Sequence, residues 1–264
     1  MIVDRIVESV KERLENRKRV IPLPLLRTAA EERDDIRDFK GSLETGDCAV
    51  IAEIKRASPS AGRIIDDFDP ADRAAACERG GAAALSVLTE EDYFEGSLAH
   101  LVETREAVSL PVLRKDFIID AYQVYETRAA GGDALLLLVG LLGRSELADF
   151  LVLAGSLGME ALVEIRNERE LEEAIIVGAG VVGINNRDLK TFRVDIATSE
   201  YLAPLVPPAV CVVAESGIRD RADMERLRAT GIKAFLVGEA LSRANDPGKV
   251  LEHLLSGKDV SECR

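Results

Sequence analysis

Cys48-Ala49-Val50-Ile51-Ala52-Glu53-Ile54-Lys55-Arg56 is a short, apolar, β-branched run that ends in charge. Such a run fits a buried strand. The same design recurs seven more times, over residues 82–89, 111–117, 134–139, 161–165, 181–186, 210–216 and 234–238. Between the runs lie segments with helix punctuation. Asp69-Pro70 supplies an N-cap and a first-turn proline. Asn167 with Glu170 has capping-box spacing, and Ser145 and Asp220 are placed to cap the helices after them. Gly80-Gly81, Gly131-Gly132, Gly178 and Gly231 stand where those helices should stop. Strands alternating with helices imply a parallel α/β sheet. The rival is an open, doubly wound sheet, which usually carries Gly-x-Gly-x-x-Gly after an early strand. That motif is absent, and Gly178-Ala179-Gly180 precedes a strand instead of following one. Eight units in 264 residues favour closure into a (β/α)8 barrel, whose usual length is roughly 250 residues.

Outward from the repeats, residues 1–47 read as a helical N-terminal extension, 48–256 as the barrel and 257–264 as a tail, all one domain. Ile2, Ile6, Val10 and Leu14 recur at helical spacing among charges. Pro22 and Pro24 are expected to end that helix, and a second short helix is expected over 31–39.

The net charge is −13. Such a field disfavours nucleic acid and anionic lipid, so any phosphate ligand needs a locally positive pocket. Cys48, Cys77, Cys211 and Cys263 show no metal-ligand or redox spacing, and His100 and His253 are the only histidines. No metal is expected, and reduced cysteines suit the cytoplasm. The apolar run 134–142 is too short to span a bilayer, and the charged start does not resemble a signal peptide.

Side chains alternate faces along a strand. Glu53 and Lys55 therefore share a face, as do Lys115 and Phe117, and Asn185 and Arg187. Glu164 and Glu215 lie near the ends of the fifth and seventh runs. Polar residues thus gather at the C-terminal ends of strands whose earlier parts are apolar, the rim where barrel enzymes carry their sites. Three cations (Lys55, Lys115, Arg187) would face three carboxylates (Glu53, Glu164, Glu215). Ser216-Gly217 and Gly238-Glu239 follow the seventh and eighth runs, where barrels often bind phosphate through backbone N–H groups.

Five blocks carry a family resemblance: residues 51–60 (IAEIKRASPS), 93–97 (YFEGS), 113–117 (LRKDF), 183–189 (GINNRDL) and 214–218 (AESGI). In this order they resemble the indole-3-glycerol-phosphate synthases of tryptophan biosynthesis, which also carry an N-terminal extension. The resemblance implies a carboxy-lyase that needs no cofactor or metal. Its substrate would be 1-(2-carboxyphenylamino)-1-deoxyribulose 5-phosphate, closed to an indole with loss of carbon dioxide and water. It implies Lys115 as general acid and Glu164 as general base, with Lys55 sharing acid work and meeting the substrate's anionic groups. Glu53 and Asn185 would orient the reacting centre, and Glu215 would support hydroxyls and lysines. Ser58, Phe94, Phe117, Arg187 and Leu189 would line the substrate, Phe94 against its aromatic ring. Ser216, Gly217, Gly238 and Glu239 would hold phosphate. The resemblance leaves open association with other tryptophan-pathway enzymes.

One departure concerns Glu239, near which many relatives have Ser. A carboxylate aimed at phosphate would repel it, so Glu239 is expected to point away and donate only its main chain. Two other readings compete. A phosphoribosylanthranilate isomerase would use an Asp and Cys pair at strand ends, but Cys48 begins its strand. A non-catalytic barrel would have lost the acid and base positions, and both are present.

Overall fold

The computed structural model describes residues 2–188 and 191–256. Eight parallel strands close into a barrel. They are β1 (Ala49–Ile54), β2 (Ala84–Leu88), β3 (Val112–Lys115), β4 (Ala134–Leu138), β5 (Glu160–Ile165), β6 (Val181–Asn185), β7 (Cys211–Glu215) and β8 (Ala234–Val237). Each strand pairs with its neighbour in sequence, and β1 closes on β8 with Ala49 opposite Ala234 and Ile51 opposite Leu236. Each of the eight expected runs coincides with one of these strands, the fifth starting one residue earlier than expected, at Glu160. After β1, a two-residue antiparallel pairing of Ala57–Ser58 with Gly62–Arg63 folds the first loop back on itself.

Period-two alternation divides the apolar residues into two cores. Outward-facing Val50, Ala52, Leu85, Val163 and Phe235 pack under the surrounding helices. Inward-facing Ile51, Leu113, Leu162, Val213 and Leu236 fill the barrel. Four of the inward columns then change character two residues on. Ile51 is followed by Glu53, Leu113 by Lys115, Leu162 by Glu164, and Val213 by Glu215. Apolar residues thus seal the lower barrel and leave the polar ones at its C-terminal mouth.

The helices largely obey their punctuation. Asp69, Asn167 and Asp220 each accept a backbone N–H three residues on. Ser145 is not a cap: the helix Arg144–Ser156 starts two residues too early, with Gly143 at the N-cap and Glu146 accepting the Gly143 N–H at 3.0 Å.

The extension forms α1 (Ile2–Val20), α2 (Leu23–Glu31) and α3 (Phe39–Glu44). No helix covers 31–39; residues 33–38 are irregular. Pro22 and Pro24 end α1 as expected, but they also open α2, because a proline costs no hydrogen bond in a helix's first turn. Asp38 then caps α3 through Gly41 N. The irregular stretch is held instead by polar contacts: Arg37 N donates to Asp133, which also pairs with Arg105 at 2.7 Å. Phe39 and Leu43 of α3 plug the lower end of the barrel. Among the described residues, no helix is long and apolar enough to cross a membrane. The expected tail, 257–264, lies outside the described residues.

Candidate active site

The strands bring the charged residues to one mouth. Glu53 lies within β1, and Lys55 follows it. Lys115 ends β3, Asn185 ends β6 and Glu215 ends β7, while Glu164 is the penultimate residue of β5. Lys55 Nζ donates to Glu53 Oε1 at 2.6 Å. Lys115 Nζ donates to Glu215 Oε2 at 3.0 Å and lies 3.9 Å from Glu53 Oε2. All three carboxylates are buried, at 7% (Glu53), 5% (Glu164) and 1% (Glu215) exposure, so their charges act in a poorly screened setting.

Burial and charge pull the two central groups in different directions. Burial alone would lower the pKa of Lys115, but Glu215, Glu53 and Glu164 outweigh it and raise the value, so the ammonium stays charged. For Glu164, burial dominates and Glu215 adds to it. Lys115, the Asn185 amide and Arg166 only partly compensate, and the carboxyl is pushed up to about 7. Glu53 goes the other way: burial would raise it, yet Lys55, Lys115 and Arg187 hold it below the usual carboxylate range. One cavity therefore holds a fixed cation and a carboxyl poised near neutrality.

Glu215 fits its place because β6 carries glycine where its carboxylate reaches back, two residues below Asn185, its partner in register. A Cβ on Gly183 would lie 2.0 Å from Glu215 Oε1. That oxygen is buried and has no hydrogen-bond partner among the described residues, while its twin holds Lys115. The cavity above has a volume of about 190 Å³. Ser58, Phe94, Phe117 and Arg187 line it, and the rings of Phe94 and Phe117 lie 6.4 Å apart. Leu189 lies outside the described residues.

On the far side, Ser216, Gly217, Gly238 and Glu239 also line the cavity. Ser216 and Gly217 both have positive φ, 63° and 84°, a conformation uncommon for serine. Glycine at 217 is required twice over, since a Cβ there would also meet Val194 Cγ1 at 2.6 Å. Asn186 braces this loop by donating to Ser216 O at 3.1 Å. The Glu239 carboxylate sits at the rim, 3.6 Å from Arg187 Nη2 and 3.4 Å from Arg243 Nη2.

Two contributions escape a reading of the sequence. Ile2, Val3 and Ile6 of α1 also line the cavity, so the extension roofs the mouth. The clue was the stripe Ile6, Val10 and Leu14, which must be buried somewhere, and the barrel's sides are already covered by its own helices. The second is Glu90, a 2% exposed carboxylate inside a run of acids that looks solvated.

The family profile described as indole-3-glycerol phosphate synthase matches residues 3–254. The chain belongs to the indole-3-glycerol phosphate synthase family. It is an enzyme, a carboxy-lyase of tryptophan biosynthesis. Relatives bearing the family name include one from Desulfosudis oleivorans, 49% identical over 97% of this chain and 98% of its own. Others come from Burkholderia ambifaria, 46% identical over 96% and 98%, and from Carboxydothermus hydrogenoformans, 46% identical over 97% and 100%. Among solved structures, thiamine phosphate pyrophosphorylase from Pyrococcus furiosus superposes with a TM-score of 0.61 at 17% identity, over 80% of this chain and 95% of that one. An N-acetylmannosamine-6-phosphate 2-epimerase from Clostridium perfringens gives 0.60 at 16%, over 84% and 98%. At such identities these two show the fold alone.

Proposed function

We propose that this cavity converts 1-(2-carboxyphenylamino)-1-deoxyribulose 5-phosphate to indole-3-glycerol phosphate, carbon dioxide and water, in the cytoplasm. A carbon–carbon bond forms between the ring carbon bearing the carboxylate and the ketone carbon of the sugar. Lys115 donates a proton to the ketone oxygen as that bond forms. Loss of carbon dioxide restores the aromatic ring. The new hydroxyl then leaves as water with a proton from Lys55, while Glu164 takes a proton from the substrate, which completes the indole; solvent reprotonates the two lysines.

The carrying observation is that Lys115 is held charged while Glu164 is pushed up to about 7 within one cavity. Environments that separate two titrating groups in this way mark an acid and a base. A lysine with a raised pKa still serves, because the oxygen it protonates becomes an alkoxide, a stronger base than an amine. Glu53 and Asn185 orient the reacting centre, and Lys55 meets the anionic groups. Glu215 steadies Lys115 through one oxygen, and its other is placed to accept from a substrate hydroxyl. Arg187 takes the carboxylate and Phe94 the aromatic ring. Ser216, Gly217, Gly238 and the main chain of Glu239 grip the phosphate.

Purified enzyme given the substrate should develop indole fluorescence. Lys115→Met should lower turnover by about three orders of magnitude or more while binding persists. Glu164→Gln should slow the dehydration step in single-turnover kinetics. Unchanged turnover in the first variant, or an unchanged dehydration rate in the second, removes that residue from its role.

A further inference from the structure

Two buried carboxylates outside the charged cluster hold the backbone of the two aromatic residues at the mouth. Glu90 accepts the N–H groups of Asp92 at 3.1 Å, Tyr93 at 2.8 Å and Phe94 at 3.0 Å. Its own carbonyl accepts Gly96 N at 2.8 Å, closing residues 90–96 into a tight loop. No side chain fits at 96, because a Cβ there would lie 2.3 Å from Leu88 O. The Phe94 carbonyl accepts Ala57 N at 3.2 Å, so Phe94 is held through both its N–H and its carbonyl.

Asp116 does the same for the neighbouring loop. One of its oxygens accepts Phe117 N at 2.8 Å, and the other accepts the Thr89 hydroxyl at 2.6 Å and Arg114 Nη2 at 2.9 Å. Thr89 directly precedes Glu90, so the two anchors are joined. The 4% exposed Asp116 has the fully buried Arg114 as counter-ion. Glu90 is held by main-chain donors alone among the bonds above. A buried carboxylate needs such donors to offset its lost hydration, and here they belong to the loop that carries Phe94.

We propose that Glu90 and Asp116 are positioning residues that set the gap between Phe94 and Phe117, and that this gap selects the substrate's flat aromatic ring. The proposal rests on the reading that the substrate carries a carboxyphenyl group. The rings are tilted at 43° with nothing covalent between their loops, so the gap is only as defined as the two backbones. Glu90 is the more informative of the two to change, because Asp116 also neutralises a buried arginine.

Full-length wild type, Glu90→Gln and Glu90→Asp are compared in turnover of the carboxyphenylamino-deoxyribulose phosphate and in inhibition by inorganic phosphate, with Tm recorded for each. Glu90→Gln keeps the shape but turns an NH2 toward donors. It should raise KM about tenfold, the scale of losing one or two charge-assisted hydrogen bonds. The kcat should stay within about threefold and the phosphate inhibition constant should not move. Glu90→Asp should fall between the two. In a Phe94→Leu background, Glu90→Gln should add less than about twofold to KM, because the ring it positions is gone. The proposal is overturned by a KM within twofold of wild type, by a phosphate constant that weakens in parallel, or by the full effect persisting without Phe94. Should Glu90→Gln not fold, Glu90→Asp carries the same readings. Wild type that fails to turn over this substrate refutes the functional reading, whereas active wild type with an indifferent Glu90→Gln refutes only the positioning role.

Discussion

Glu164 links chemistry to stability. A base must be ionised, so kcat/KM should fall about tenfold per pH unit below about 7, the value to which burial raises this carboxyl. A pH profile flat down to pH 5 would show that Glu164 is not the base. The same shift has a cost in folding. The folded-state pKa lies above the ordinary 4.5, so the protonated form is favoured on folding, and stability is lost as pH rises from about 4.5 through 7. Glu164→Gln should therefore melt a few degrees above wild type at pH 8, with the gap closing by pH 5. At the rim, Glu239→Ser removes a charge that engages Arg187 and stands beside the phosphate loops. Its side chain is 60% exposed, so the gain is modest: KM should fall about two- to fivefold with kcat unchanged, less so at high salt. An unchanged KM would mean that the carboxylate neither competes with nor repels the substrate.

At the scale of elements, α1 acts as a strap across the mouth. Arg13 and Ser9 pair with Asp92, Arg17 pairs with Glu91 at 3.4 Å and Glu126 at 3.1 Å, and Lys18 donates to Asp120 at 2.7 Å. The Tyr122 hydroxyl donates to the carbonyls of Arg17 and Ile21. Ile6, 2% exposed, forms part of the roof. Ile6→Asp should raise KM about tenfold or more and speed hydrogen exchange over residues 2–20, since a buried unpaired carboxylate drives the strap outward. Unchanged exchange would show that the roof tolerates charge. The eight strands were legible because β-branched runs recur between good caps. The extension was less so, for two reasons. Pro22 and Pro24 serve both as stop and as start, which local pattern cannot separate, and docking of α1 depends on acids some hundred residues away. Glu90 was illegible because Glu90-Glu91-Asp92 looks like a solvated acidic run. Only the fold shows one carboxylate turned inward to its own loop and two turned outward to α1.

For the molecule as a whole, closure puts every working side chain on a wall whose other face is core. Leu113 fills the barrel beneath Lys115 and is fully buried. Leu113→Ala should cost about 2–5 kcal/mol, a fall in Tm of roughly 5–15 °C, while the pH profile keeps its shape. A shifted acidic limb would mean that the lower layer tunes the mouth's charges. The convergence of Glu53, Lys115, Glu164 and Glu215 could be read from sequence because strand alternation and barrel closure together fix which ends meet. The electrostatic balance among them could not, since it depends on separations of a few ångströms.

The strap also sets an order of events. Its anchors, Glu91, Asp92, Asp120 and Glu126, are all made long after residues 2–20 have left the ribosome, since synthesis runs from the N-terminus. Until residue 126 emerges, the greasy stripe of Ile6, Val10 and Leu14 has no seat. The strap is therefore made well before its seat, and a nascent chain stalled near residue 130 would present that stripe to chaperones.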